Sequence, residues 1–231
     1  MPATESAPHP LALSEESLPL WRRAVTPLIL TAGRVSARGE GPEFDGEAIE
    51  YVVGKYNITP ITERSIELGI VKAALPASGK VLEVGNVWGH YFERSHTVVD
   101  KFEVAPGVTN SDFMDLDENE KYDFIFSIST FEHIGWDDDV REPEKLGAAF
   151  EKLPRLIAPG GTALITVPID WNEWLDARLA EDATGATSVD WYLRDGQLCS
   201  WRRAEKAETL AAKYGSPYRF ANGLAVLRFT A

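Results

Sequence analysis

The sequence predicts an α/β protein built on a doubly wound, mostly parallel sheet, and three observations carry that prediction. Short apolar runs recur at residues 81–84, 97–100, 122–127, 163–167 and 224–229, separated by turn material or by helical periodicity. The first run passes directly into a glycine-bearing turn, as the opening strand of a nucleotide-type fold does. A chain of 231 residues, 44% hydrophobic and 26% charged, has the size and composition of one such domain.

Composition narrows the partners. The formal net charge of -13 opposes binding to a phosphate backbone, and the one adjacent basic pair of the second half, Arg202-Arg203, reads as a solvated face. A nucleic-acid partner is therefore not expected. The single cysteine, Cys199, excludes an internal disulfide framework and a thiolate zinc cluster, and fits a reducing compartment. No run approaches the roughly 20 apolar residues that span a bilayer, and no basic-then-apolar leader opens the chain, so a cytoplasmic protein without a membrane partner is expected.

Residues 1–57 read as an N-terminal extension, partly disordered and able to serve as a lid; 1–19 are rich in Pro, Ala, Ser and Glu, and five glycines punctuate the part after it. The folded domain is expected over 58–231. Thr59-Pro60 has the form of an N-cap followed by proline at the first helical position, and apolar residues from Ile66 to Leu75 continue the helix. Residues 172–213 read as helical in places, too short for a domain of their own.

The chemistry begins at Glu83-Val84-Gly85-Asn86-Val87-Trp88-Gly89-His90, between the first strand and the next helix. Glycines there let backbone approach a ligand at the carboxyl ends of the strands, although a tight turn alone would also use them. Asp100 closes the second strand, where a carboxylate can accept from ribose hydroxyls. These residues, with Asp112-Phe113, the run from Tyr122 through Glu132-His133-Ile134, and Ala158-Pro159-Gly160-Gly161 before the fifth strand, resemble the class I, Rossmann-like S-adenosylmethionine-dependent methyltransferases in order and spacing. The resemblance implies a seven-stranded sheet with an antiparallel last strand at 224–229. It implies S-adenosylmethionine as cofactor, contacted by Glu83, Gly85, Asn86, Gly89, Asp100, Asp112, Phe113 and Ser127. Val87 departs from the pattern by standing where the family has its middle glycine, which requires a turn with negative φ there or a cofactor seated further out.

The expected reaction is in-line methyl transfer to O or N of a small molecule such as a sugar, an amino-acid derivative or a natural product. His133 is the candidate general base, with local helix support as its competing role. Tyr56, His90, Tyr91, Trp136 and Tyr218 are candidate acceptor contacts, aromatic faces being attractive to cations and equally at home in a core. The run Asp137-Asp138-Asp139 reads as helix capping rather than a metal site, since three consecutive carboxylates cannot all face one ion. Two other functions fit parts of the pattern: a ligand-binding protein without turnover, motivated by Val87, and a nicotinamide-dependent oxidoreductase, which lacks its Gly-x-Gly-x-x-Gly turn here. The sequence does not identify the acceptor or the oligomeric state.

Overall fold

The computed structural model describes residues 20–39 and 41–231, with side chains from residue 25 onward, so the tail at 1–19 lies outside the described residues. The apolar runs form the middle of an eight-stranded sheet. Five parallel strands, β3 (Val81–Val84), β4 (Thr97–Asp100), β5 (Thr109–Asn110), β6 (Tyr122–Ile128) and β7 (Ile157–Pro168), stand in the order β5-β4-β3-β6-β7. The last strand, β10 (Gly223–Thr230), runs antiparallel to β7 and to β8 (Ser188–Arg194), and β9 (Trp201–Arg203) closes the edge.

Both faces of the sheet are covered, which is why its strands read as continuous apolar runs rather than as an alternation. Ile125, Ala163, Ile165, Ala225 and Leu227 point to one side, against Leu146, Phe150 and Leu153 of α3 (Glu144–Leu156) and Leu175 of α4 (Glu173–Ala180). Phe124, Phe126, Ile128, Leu164 and Val226 point to the other, against Ile66, Ile70 and Val71 of α2 (Arg64–Ala74). Phe126 is fully buried, and truncating such a side chain to alanine costs about 3–5 kcal/mol.

Two parts differ from the sequence expectation. The helix after Thr59-Pro60 starts only at Arg64, because Thr59 is engaged by backbone on its N-terminal side. Its hydroxyl donates to the Val52 carbonyl and accepts from the Gly54 amide, clamping a 3-10 turn at Tyr56–Ile61. The stretch 172–213 contributes two strands besides its helices α4 and α5 (Lys206–Leu210), so the sheet has one strand more than the resemblance implied.

Residues 41–57 and the helix before them are tied to the domain. The hairpin β1 (Glu43–Phe44) and β2 (Glu47–Ala48) places Phe44 in the α2-side core, joined by Ile49. Helix α1 (Leu20–Ser36) crosses the Tyr56–Ile61 turn at Gly33, where a β carbon would stand 2.4 Å from Pro60 Cγ. Its end is fixed by the Ser36 hydroxyl, which donates to the Leu198 carbonyl at 2.7 Å. Among the described residues no helix is long and apolar enough to cross a membrane.

Candidate active site

From β3 the chain moves outward to β4 and β5, then returns to β6 on the opposite side of β3, so the sheet's topological switch point lies between β3 and β6. Ligands of open α/β sheets bind outside the carboxyl ends of the strands at such a point. A cavity of about 1160 Å³ lies there, bounded by the ends of β3, β4 and β6 and covered by α1 and the Lys55–Ile58 turn.

The turn after β3 is shaped by two residues. Gly85 has φ +93, and a β carbon on it would lie 2.2 Å from Thr130 Oγ1, so both conformation and space require glycine. Glu83 is buried beneath the turn rather than on the cavity wall: Oε1 accepts from the amides of Val87 (2.8 Å) and Trp88 (2.7 Å), and Oε2 lies 2.8 Å from His96 Nε2. Val87 adopts φ -108, so the turn has no need of glycine at that position.

Asp100 organises the next wall. Its Oδ1 accepts from the amides of Phe102 (2.8 Å) and Glu103 (2.7 Å), and its Oδ2 from that of Asn86 (3.1 Å). The carboxylate therefore joins the β3 turn to the β4 turn, and Oδ2 still has a lone pair for a ligand hydroxyl. Asn86 is fixed in turn by Glu103 Oε1 and Arg94.

Asp112 caps the 3-10 turn Phe113–Asp115 through the Met114 amide, and among the described residues the Phe113 amide meets no protein acceptor. Lys145 and Lys101 both reach Asp112, at 2.6 and 3.1 Å, and both reach Asp138, forming a ring of alternating charge on the cavity wall. Burial alone would raise the Asp112 pKa, but Lys145, the Met114 amide and Lys101 outweigh it and hold the pKa at about 2.

Opposite stand the residues that follow β6. His133 lines the cavity, and its Nδ1 lies 2.6 Å from Asp137 Oδ2. Arg64 reaches the cavity from α2, donating to Glu67 (2.7 Å) and to the Ile128 carbonyl (3.1 Å). Ser129 holds φ +39 and Ile58 φ +46 on opposite walls; a β-branched residue in that region is strained and persists because its surroundings enforce it.

The structure thus brings together Gly85, Asn86, Asp100, Asp112, Phe113 and His133 with Tyr56 and His90, whose rings stack at 4.0 Å. Six other sequence candidates stand off the cavity. Glu83 holds the turn from beneath, and Ser127 is fully buried, donating to the Val84 carbonyl inside the sheet. Gly89 borders a smaller neighbouring cavity of about 330 Å³. Tyr91 donates to the Tyr56 carbonyl behind the Tyr56 ring, Trp136 lies under Arg141, and Tyr218 donates to the Asp195 carbonyl beside Arg194.

The acidic run departs from the expected helix cap as well. Asp137 meets His133, Asp138 joins the lysine ring, and the helix begins later, at Glu144. Sequence reasoning missed Arg64, Thr130, Lys101, Lys145 and the residues of α1. Their signal is three-dimensional: each reaches the cavity from an element whose local pattern reads as ordinary surface or core.

The five parallel strands, β8 and the antiparallel last strand β10 between β7 and β8 make the seven-stranded sheet that the sequence resemblance implied, with β9 added at the edge. The fold is that of the class I methyltransferases. No family model matches the chain, and no curated protein matches it. Solved structures of this class are similar over most of their length. The N-methyltransferase NodS from Bradyrhizobium japonicum, in complex with S-adenosylhomocysteine, is 12% identical, with 69% of this chain and 80% of that one covered and a TM-score of 0.40. A SAM-dependent methyltransferase from Thermotoga maritima is 15% identical over 71% of this chain and 86% of that one, also at 0.40. The Burkholderia thailandensis 1,6-didemethyltoxoflavin-N1-methyltransferase is 16% identical over 71% and 77%, again at 0.40. Likeness at this level carries no functional assignment, which has to come from the residues of the cavity.

Proposed function

We propose that the protein is an S-adenosylmethionine-dependent methyltransferase acting on O or N of a small molecule. One observation carries this reading: the Gly85 turn, Asp100 and the Asp112-Phe113 pair, which the sequence resemblance associates with the cofactor, line a single cavity that also holds His133. At about 1160 Å³ the cavity exceeds the roughly 300–1,000 Å³ common for one small ligand, which leaves room for an acceptor beside a cofactor.

The residues fit the group. Asp100 Oδ2 offers an acceptor lone pair to a ribose hydroxyl, and the Phe113 amide offers a donor to the edge of a purine. Bound here, S-adenosylmethionine would supply a sulfonium methyl group for transfer to the acceptor's O or N. The chain's own work is to orient the two molecules, exclude water beneath α1 and take the acceptor's proton at His133. Thermal melting tests the reading: S-adenosylhomocysteine is expected to raise the melting temperature in proportion to the logarithm of its concentration, and NAD to leave it unchanged. A shift with NAD alone would reassign the cavity to a nicotinamide cofactor.

A further inference from the structure

His133 is held between two carboxylates, one at each ring nitrogen. Nδ1 lies 2.6 Å from Asp137 Oδ2, and Nε2 lies 3.8 Å from Glu132 Oε1. Glu132 is 1% exposed, and its second oxygen, Oε2, has no hydrogen-bond partner among the described residues. Leaving an ionisable oxygen buried and unpaired costs stability. The ring of His133, which gains positive charge only when protonated, has its Nε2 within 3.8 Å of Glu132 Oε1.

We propose that Asp137 and Glu132 are positioning residues for His133: Asp137 holds the Nδ1 proton, and Glu132 stabilises the charge the ring gains when Nε2 accepts the acceptor's proton. The proposal rests on the methyltransferase reading for the identity of that proton. The balance is simple. The acceptor loses H+ from its O–H or N–H, Nε2 gains it, and the neutral imidazole becomes an imidazolium between the Asp137 carboxylate and Glu132, which is a carboxylate once pH exceeds its raised pKa of about 7. A neutral imidazole has one N–H and one acceptor nitrogen, so fixing the proton on Nδ1 is what makes Nε2 the base.

The surrounding charges support the arrangement. Burial alone would lower the His133 pKa, but the Asp137 hydrogen bond and the Glu132 charge outweigh it, and the net shift is upward. Arg64 acts against both carboxylates' effect, lowering the His133 pKa, and Glu67 beside Arg64 adds negative charge facing Glu132. Glu63, which precedes α2, is itself pushed upward by burial. From the other side Tyr214 faces Glu132, and Trp171 packs edge-on against the His133 ring at 5.6 Å.

Nitrogen-15 NMR of His133 in the full-length protein tests this without an acceptor. The wild type is expected to carry the neutral-ring proton on Nδ1, with a pKa above 6.5. Asp137→Asn should move that proton to Nε2, because the amide can offer a donor to Nδ1, and should lower the pKa by about 1 or more. Glu132→Gln should lower the pKa and leave the proton on Nδ1. An Nε2–H ring in the wild type, or a pKa unmoved in both variants, would overturn the proposal. Calorimetry with S-adenosylhomocysteine on the wild type separates the two levels: absent binding removes the methyltransferase reading, whatever the tautomer.

Discussion

Gly85 and Thr130 meet across the switch point of the sheet, so closely that a β carbon on Gly85 would stand 2.2 Å from the threonine hydroxyl oxygen and 2.7 Å from its methyl. Gly85→Ala therefore faces two separate costs, the clash and a φ of +93. Each is on the order of 1–3 kcal/mol. Thr130→Ala in the same chain removes the hydroxyl and methyl but keeps a β carbon 2.8 Å away, so it relieves the first only in part and leaves the second. The double variant is expected to recover part of the lost melting temperature, and full recovery would show that φ at residue 85 relaxes freely.

Asp100 has a structural duty that its place in the sequence does not announce. Asp100→Ala leaves the amides of Asn86, Phe102 and Glu103 without their shared acceptor, so it should lower both stability and S-adenosylhomocysteine affinity. Hydrogen bonds to a charged group contribute about 1.5–3 kcal/mol, which makes the affinity loss roughly 10- to 100-fold. Asp100→Asn keeps an oxygen for Phe102 and Glu103 and sets a donor against Asn86. It should retain most of the stability and still lose affinity, and calorimetry beside urea unfolding distinguishes the two effects. Equal affinity for wild type and both variants would remove Asp100 from the cofactor site.

Helix α1 covers the cavity through a contact that only glycine permits. Gly33→Ala would drive a β carbon into Pro60, 2.4 Å away, and lever the helix off the Tyr56–Ile61 turn. The cover, with Thr26, Leu30 and Arg34 on the cavity wall, should loosen. The expected result is faster amide exchange in α1 and faster ligand dissociation, with the central sheet unchanged. Exchange confined to the sheet, with α1 protected as before, would contradict the covering role.

The central sheet was legible because its strands are buried on both faces, which leaves an unbroken apolar record at 81–84, 122–127 and 163–167. β5 was not, since two residues, Thr109 and Asn110, carry no pattern. β8 was missed although Val189, Trp191 and Leu193 alternate, because the helical residues on either side of it dominate the window. At the site, sequence order located Gly85, Asp100 and Asp112, whose places follow from strand ends. It could not locate Lys145 or Arg64, which reach the cavity from helices whose turns register only burial and charge, nor tell that Thr59 serves the Val52–Gly54 backbone instead of a helix.

Glu132 should make the protein less stable as pH rises. Burial raises its pKa from 4.5 to about 7, so between those values the native state holds a proton that the unfolded chain has released. A native state that binds more protons loses stability with increasing pH, and the loss is complete once pH exceeds the native pKa. His133, also raised, acts in the same direction as pH climbs from 6.5 through its native pKa. Asp176, at about 6, and Glu63 add slopes of the same sign that are common to wild type and variant. Glu132→Gln removes its own contribution and weakens that of His133. Its urea midpoint, measured from pH 5 to pH 8.5, should fall less steeply than that of the wild type, and at pH 8 the variant should be the more stable by about 1–3 kcal/mol. Parallel curves for the two proteins would mean that Glu132 titrates as an ordinary carboxylate and that its unpaired oxygen is solvated in solution.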